Sequence, residues 1–316
     1  MKKRKFVKGE LNHTYQRTIS GFNIFYELED YLVYYTIFSM MAVKYDIVVY
    51  GLCLMIDHIH SLCSSSDKDT FSRFMSNVAN LFVREYNREH SRSGPLFERA
   101  FGSALKIGLK LIRTAIAYLY NNPVERYLCK YAQEYRWNFL AYALSPNPFS
   151  EPLVIRNASA PLARAVKEVN ASHKRGRHLT YAQIRRLYST LDNREQSQLT
   201  DYIIVRYSVV RYDLLSTKCY DGFQNMLTAI NSNAGSEYDL DELKYGRSDS
   251  EYRELYKYVH SCGYASAGDV IMLDVDKKLS LYDEMRRYTT ASHYQICKFL
   301  HLSVSVSSKS NELRFC

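Results

Sequence analysis

The run DIVVYGLCLMIDHIHSLCS, residues 46 to 64, constrains this chain most. It is apolar and β-branched, long for a single strand, and reads as a buried central strand with Gly51 marking a bulge or bend and the histidines near its end. Successive side chains of a strand point to opposite faces. His58 and His60 therefore share one face, and Asp57, Ile59 and Ser61 take the other. Two aligned imidazoles can hold a metal ion, but they are equally ordinary polar residues at a strand end, and their spacing alone does not decide between the two.

The sequence around this run alternates strand and helix patterns. LNHTYQRTI (11 to 19) alternates and leads into a turn at SGFN, and LEDYLVYYTIFSMMAVKY (28 to 45) carries acids in its first turn and a helical apolar repeat. SDKDTFSRFMSNVANLFVREYNREHS (66 to 91) opens on cap residues and shows one apolar stripe. A Gly-Pro loop then feeds a short strand near 102 to 107. A third helix over GLKLIRTAIAYLYNNP is expected to end or kink at Pro123, and VERYLCKYAQEYRWNFLAYAL to resume as helix. The pattern predicts an α+β domain, one sheet with helices on it, over 1–146.

The loop SPNPFSEP, 145 to 152, is the expected domain boundary. A basic linker over 147–178 should follow, then a helix-rich region over 179–277 without a motif. The segment 278–316 has helix-turn-helix spacing, with Ile296 and Leu300 facing inward and a last helix presented outward. The turn lacks the usual glycine, with His301 in its place, and the serine-rich tail is a poor helix former.

Lys+Arg total 42 against 33 Asp+Glu, a net charge of +9. The excess clusters at the N-terminus (Lys2, Lys3, Arg4, Lys5) and in RAVKEVNASHKRGRHLTYAQIRR, including Lys174, Arg175 and Arg177. Such clusters suit a polyphosphate partner, since each neutralised phosphate releases condensed counterions; a solvated surface is the plain alternative. The 29 tyrosines offer stacking faces for unpaired bases, although most are expected in packing. Seven scattered cysteines form no C-x-x-C pair, and no long uncharged apolar run or export signal occurs, so a reducing cytoplasm is expected.

Tyr118 and Asn122 stand one helical turn apart and project from one face of the third helix. Above the histidine face they would bring a phenol and a neutral oxygen to two imidazoles. Imidazole and oxygen ligands suit Mg²⁺ or Mn²⁺ on a phosphate, and the phenol, with an ordinary pKa of about 10, needs activation before it can attack phosphorus. Tyr120 points elsewhere and serves as the internal control. Glu98 and Arg99 assist at a phosphate or pair at the surface; Arg136 and Trp137 stack on a base, or Trp137 anchors the core.

The ordered segments LCLMIDHIHSL, GPLFERAFGSA, AIAYLYNNPVERYL and EYRWNFLAY resemble the single-tyrosine HUH transposases, and among them the REP-associated tyrosine transposases, over roughly residues 8 to 143. The resemblance implies an HUH endonuclease-like fold, a divalent metal (Mg²⁺ or Mn²⁺) on His58 and His60, Tyr118 as nucleophile and Asn122 as third ligand. It also implies single-stranded, hairpin-bearing DNA as substrate, a 5′-phosphotyrosine intermediate and a freed 3′-hydroxyl, with active sites built within one chain or across a homodimer. Lys2, Lys3, Arg4, Lys5, Arg99, Lys174, Arg175 and Arg177 are the candidate DNA contacts. The chain departs from the family in having Ile56-Asp57 where Pro-Asn is common, and in its long C-terminal region. The alternative is a DNA-binding regulator with a vestigial catalytic domain and duplex-reading C-terminal helices.

Overall fold

The computed structural model describes residues 5–232, 248–302, 304–306 and 313–315. Strand β1 (Leu11–Arg17), helix α1 (Leu28–Lys44), strands β2 (Val48–Leu54) and β3 (His58–Ser64), helix α2 (Lys68–Glu89), strand β4 (Gly102–Lys106) and helix α3 (Leu109–Glu125) form the first unit. The four strands make an antiparallel sheet in the order β2-β3-β1-β4. The α+β reading holds. The run expected as one long strand is instead a hairpin, with Met55–Asp57 as its turn, so the histidines open β3 rather than close a strand.

Residue alternation assigns the two faces. Leu52, Leu54, Ile59 and Cys63 face α1 and α2 in one apolar cluster; Leu11, Cys53, Met55 and Leu62 face α3 in a second. Two glycines let the layers close. Gly51 sits at the bulge, where the register shifts, and a Cβ there would lie 3.2 Å from the Tyr120 hydroxyl. At Gly102, paired with Tyr15, a Cβ would fall 2.1 Å from the tyrosine ring, which lies over the bare backbone.

Beyond α3 the structure departs from the expected helix. Pro123 is accommodated within α3, and after it come three short 3-10 turns, Ala132–Glu134, Arg136–Asn138 and Leu140–Ala143. Tyr127 and Phe139 take positive φ (57° and 64°), which a right-handed helix cannot continue through.

Helices α4 (Ala160–Lys174), α5 (Tyr181–Tyr188) and α6 (Asn193–Arg206) then pack outside α1. The stretch read as a basic linker thus contains α4, whose Leu162, Val166 and Val169 join the same buried cluster as Leu32 and Phe38. The loop read as a boundary is tied to α6: Phe149 N and Ser150 Oγ donate to Asp201 at 3.0 and 2.9 Å. Helices α7 (Tyr212–Tyr220) and α8 (Phe223–Ser232) cover α3, where Asn121 Nδ2 donates to Ile230 O at 2.8 Å.

Helices α9 (Glu251–Ser261), α10 (Ala267–Ile271), α11 (Val275–Tyr288) and α12 (His293–Leu300) share a third apolar cluster, with Ile296 and Leu300 inside as expected. Among the described residues the last helix of the expected helix-turn-helix does not appear. Its place holds two paired strands, β5 (Val304–Val306) and β6 (Leu313–Phe315), and the intervening residues lie outside those described. The bundle docks on residues 22–27. There the Tyr26 hydroxyl donates to Phe299 O (2.8 Å), His301 Nε2 bonds Asn23 O (2.8 Å) and the His301 ring stacks on Phe22 (4.6 Å). Among the described residues no helix is long and apolar enough to cross a membrane.

The close approach at Gly102 yields a stability test. Gly102→Ala should cost about 1–3 kcal/mol through overpacking, read from the urea-unfolding midpoint, and the same change should be nearly neutral in a Tyr15→Ala background.

Candidate functional site

The β1–β3 register builds the site. Arg17 pairs with His58 and Tyr15 with His60, so His13, Tyr15 and Arg17 of β1 share a face with His58, His60 and Leu62 of β3. That face lies under α3. Tyr118, half-buried, meets the His60 ring at 5.3 Å and the His13 ring at 5.4 Å, both edge-on. One turn on, Asn122 Nδ2 donates to Tyr118 O at 2.8 Å, which leaves Oδ1 facing His58 Nε2 at 3.5 Å. His58, His60 and Asn122 are each 3–5 % exposed. The four residues singled out in the sequence are thus brought together, and Tyr120 is set apart in the core with its hydroxyl 3.4 Å from Tyr50 O.

Both imidazoles are oriented from behind. Asp57 Oδ1 lies 2.5 Å from His58 Nδ1, so that nitrogen carries a proton and the ring is turned with Nε2 toward Asn122 Oδ1. Asp57 was expected to face away. It belongs to the turn before β3, where strand alternation does not apply, and its carboxylate bends back to the histidine. Its other oxygen accepts from Lys298 Nζ of α12 at 2.7 Å, 241 residues away in sequence. Burial alone would raise the Asp57 pKa, but Lys298, His58 and Arg126 outweigh it and hold the carboxyl well below its ordinary range.

His60 is oriented by a second imidazole. Its Nδ1 is 3.0 Å from His13 Nε2, while its own Nε2 is buried without a hydrogen-bond partner. Burial first, then His58 and His13, push its pKa well below the ordinary imidazole value, so it stays neutral. Nearby, Arg126 Nη1 lies 3.9 Å from Asp249, whose carboxyl is pushed up to about 6 by burial and by Asp57. No three His, Cys, Asp or Glu side chains converge on one point among the described residues. An ion here would therefore have to draw on the Asn122 oxygen beside the two imidazoles. The site suits one in that both Nε2 atoms can present lone pairs and one of them has no partner.

The basic candidates divide. Arg99 is exposed, with its guanidinium 5.9 Å from the Tyr15 ring, at the edge of the histidine face. Lys174, Arg175 and Arg177 are exposed at the end of α4, in the helical layer on the opposite side of the sheet, and are not brought to the site. Lys5 is exposed; Lys2, Lys3 and Arg4 lie outside the described residues. Glu98 is exposed, and Arg136 lies over Phe149 at 4.8 Å and 3.6 Å from Asp201. Sequence reasoning passed over His13, Arg17 and Lys298. The first two were legible in the period-2 pattern of LNHTYQR, whereas Lys298 had no local signal.

The fold and site define a class: an antiparallel sheet presenting a histidine, hydrophobic, histidine strand beneath a helix with a tyrosine and an asparagine one turn apart. Residues 23–122 match the family model described as "Transposase IS200 like", and this segment contains His58, His60, Tyr118 and Asn122. A solved structure described as a REP-associated tyrosine transposase bound to a REP hairpin is 15 % identical, covering 49 % of this chain and 93 % of that one, with a TM-score of 0.39. No curated protein matches the chain.

The buried, neutral state of His60 has a measurable sign. Unfolded, its imidazole takes up a proton near pH 6.5; folded, it does so only well below, so its contribution to stability is present above pH 6.5 and lost as pH falls. Its ring resonance should stay unchanged in NMR spectra from about pH 8 to 5.5. Titration near 6.5 would mean that the pair is open to water.

Proposed function

We propose that this chain is a metal-dependent DNA transposase that cleaves and rejoins single strands near hairpins, with Tyr118 as nucleophile and His58, His60 and Asn122 holding Mg²⁺ or Mn²⁺. The observation that carries the reading is the position of Tyr118 over the histidine face, one turn before an asparagine whose oxygen faces His58. The match of residues 23–122 to an IS200-like transposase model supports the same conclusion.

A divalent ion bound there would polarise a phosphoryl oxygen and spread the charge that develops on it. The chain's own residues do the rest. Asp57 and His13 each bond the Nδ1 side of one imidazole, so both rings are oriented before substrate arrives. Arg17, exposed at the end of β1 opposite His58, and Arg99, whose guanidinium lies 5.9 Å from the Tyr15 ring, put two basic residues beside this face, suited to backbone phosphates. The Tyr118 oxygen forms a bond to phosphorus as the 3′-oxygen leaves, and the net proton passes from phenol to the leaving hydroxyl. The 5′-phosphotyrosine keeps a phosphodiester, so a free 3′-hydroxyl can reverse the step and join a new strand without ATP.

Incubation with hairpin-bearing single-stranded DNA and Mn²⁺ should give a denaturant-stable adduct on the 5′-phosphate of the fragment lying 3′ of the cut, and a free 3′-hydroxyl on the other fragment. Tyr118→Phe should abolish it and Tyr120→Phe retain it. An adduct that persists in Tyr118→Phe would sink the assignment.

The contact from α12 makes a separate prediction. Lys298→Met should weaken Mn²⁺ binding to the DNA-free protein by roughly ten-fold or more, read by EPR titration, because Asp57 would lose the cation that holds it against His58.

A further inference from the structure

We propose that the cleft between residues 23–31 and helix α9 is a nucleobase site, which takes one unpaired base of the DNA strand and its phosphate. The cleft encloses about 360 Å³. Its walls include Tyr26, Tyr31 and Trp137 from the sheet-bearing unit and Tyr252 and Tyr256 from α9. Tyr31 and Trp137 are stacked at 4.3 Å and 10°, a rigid flat surface of the kind on which bases stack. The Tyr256 hydroxyl bonds Glu27 and is held in place.

Two further features point to a base rather than to an apolar ligand. Asn23 lines the cleft and is fully buried, yet neither its Oδ1 nor its Nδ2 has a hydrogen-bond partner. An amide buried in this state is costly unless a ligand offers a donor and an acceptor side by side, as the edge of a nucleobase does. At the rim, Arg253 and Lys257 are exposed cations on consecutive turns of α9, where the attached phosphate would lie. A hydrocarbon chain or an apolar peptide side chain would satisfy neither the amide nor the charges. The cleft also touches Ile56, two residues before His58. A base seated there therefore belongs to a strand passing close to the histidine pair. Assigning that base to the cleaved strand rests on the function proposed above; occupancy of the cleft by a base does not.

Trp137 is the only tryptophan of the chain, so its fluorescence reports on this cleft alone. The full-length Tyr118→Phe protein, in which no cleavage is expected, is titrated with deoxynucleoside monophosphates and with a short single-stranded oligonucleotide. Both should quench Trp137 saturably, and inorganic phosphate should not. Asn23→Ala should raise the apparent Kd about ten-fold for both probes, within the range of one bidentate base contact. Arg253→Glu with Lys257→Glu changes only exposed side chains, and should weaken the oligonucleotide at least as much and flatten its salt dependence. Absence of quenching by both probes, quenching by phosphate, or an unchanged Kd in Asn23→Ala would overturn the proposal. Quenching by the mononucleotide alone would keep the base site and overturn its assignment to the strand. If the wild-type chain forms no covalent adduct while quenching persists, the transposase reading fails and the cleft stands. An adduct without quenching removes the cleft alone.

Discussion

The pairing of β3 between β2 and β1 is the constraint on which the rest depends. Every residue of β3 is buried, and its partners, Cys53 opposite His60 on one side and Arg17 opposite His58 on the other, fix which way the imidazoles point. A slip of one residue would turn His58 and His60 toward α1 and α2, into an apolar layer that has no use for them. The bulge at Gly51 belongs to the same constraint. It absorbs the register shift, and its missing side chain admits Tyr120 and Leu119, so α3 can lie close enough for Tyr118 and Asn122, on its other turns, to meet the histidines.

A second dependence runs through Asp57. A buried carboxylate is costly unless paired, and this one stands between the His58 imidazole and the Lys298 ammonium. Removing either partner from such a buried arrangement costs on the order of 3–5 kcal/mol in comparable cases, because the charge left behind has no water to turn to. The sheet-bearing unit and the C-terminal bundle are therefore joined through the site itself. Where the resembling family commonly has Pro-Asn before the first histidine, this chain has Ile56-Asp57. The change from a neutral amide to an anion is matched by a lysine that the C-terminal region supplies.

Much of this was legible locally. The strand at Leu11–Arg17, the helices beginning at Leu28 and Lys68, and the tyrosine and asparagine one turn apart all follow from period and caps over short windows. What escaped was set by tertiary contacts. The hairpin turn at Met55–Asp57 lies inside an unbroken apolar run, with no glycine or proline to mark it. The basic stretch around Lys167 reads as solvated, although every third or fourth residue of α4 is apolar and α4 packs on α6, within the same buried cluster. The last expected helix gave way to strands after His301, which takes a left-handed backbone (φ 55°) and places its ring against Phe22 rather than in a helical turn. No local pattern could join Lys298 to Asp57.

The two imidazoles are held by unlike partners, and this asymmetry has chemical content. An anionic carboxylate behind His58 strengthens that ring as an electron-pair donor, whereas the His13 imidazole behind His60 orients its ring through one shared hydrogen bond. His60 compensates in its charge state: burial first, then the neighbouring imidazoles, hold its pKa well below the ordinary value, so the ring is not an imidazolium. Two buried carboxylates elsewhere in this fold are well served. Asp30 accepts from two backbone amides and from Tyr181, and Asp201 from Tyr142, Phe149 and Ser150. Against such networks, a buried ring nitrogen left without a partner, on the one face that also carries Tyr118, is better explained by a ligand the site is shaped to receive than by loose packing.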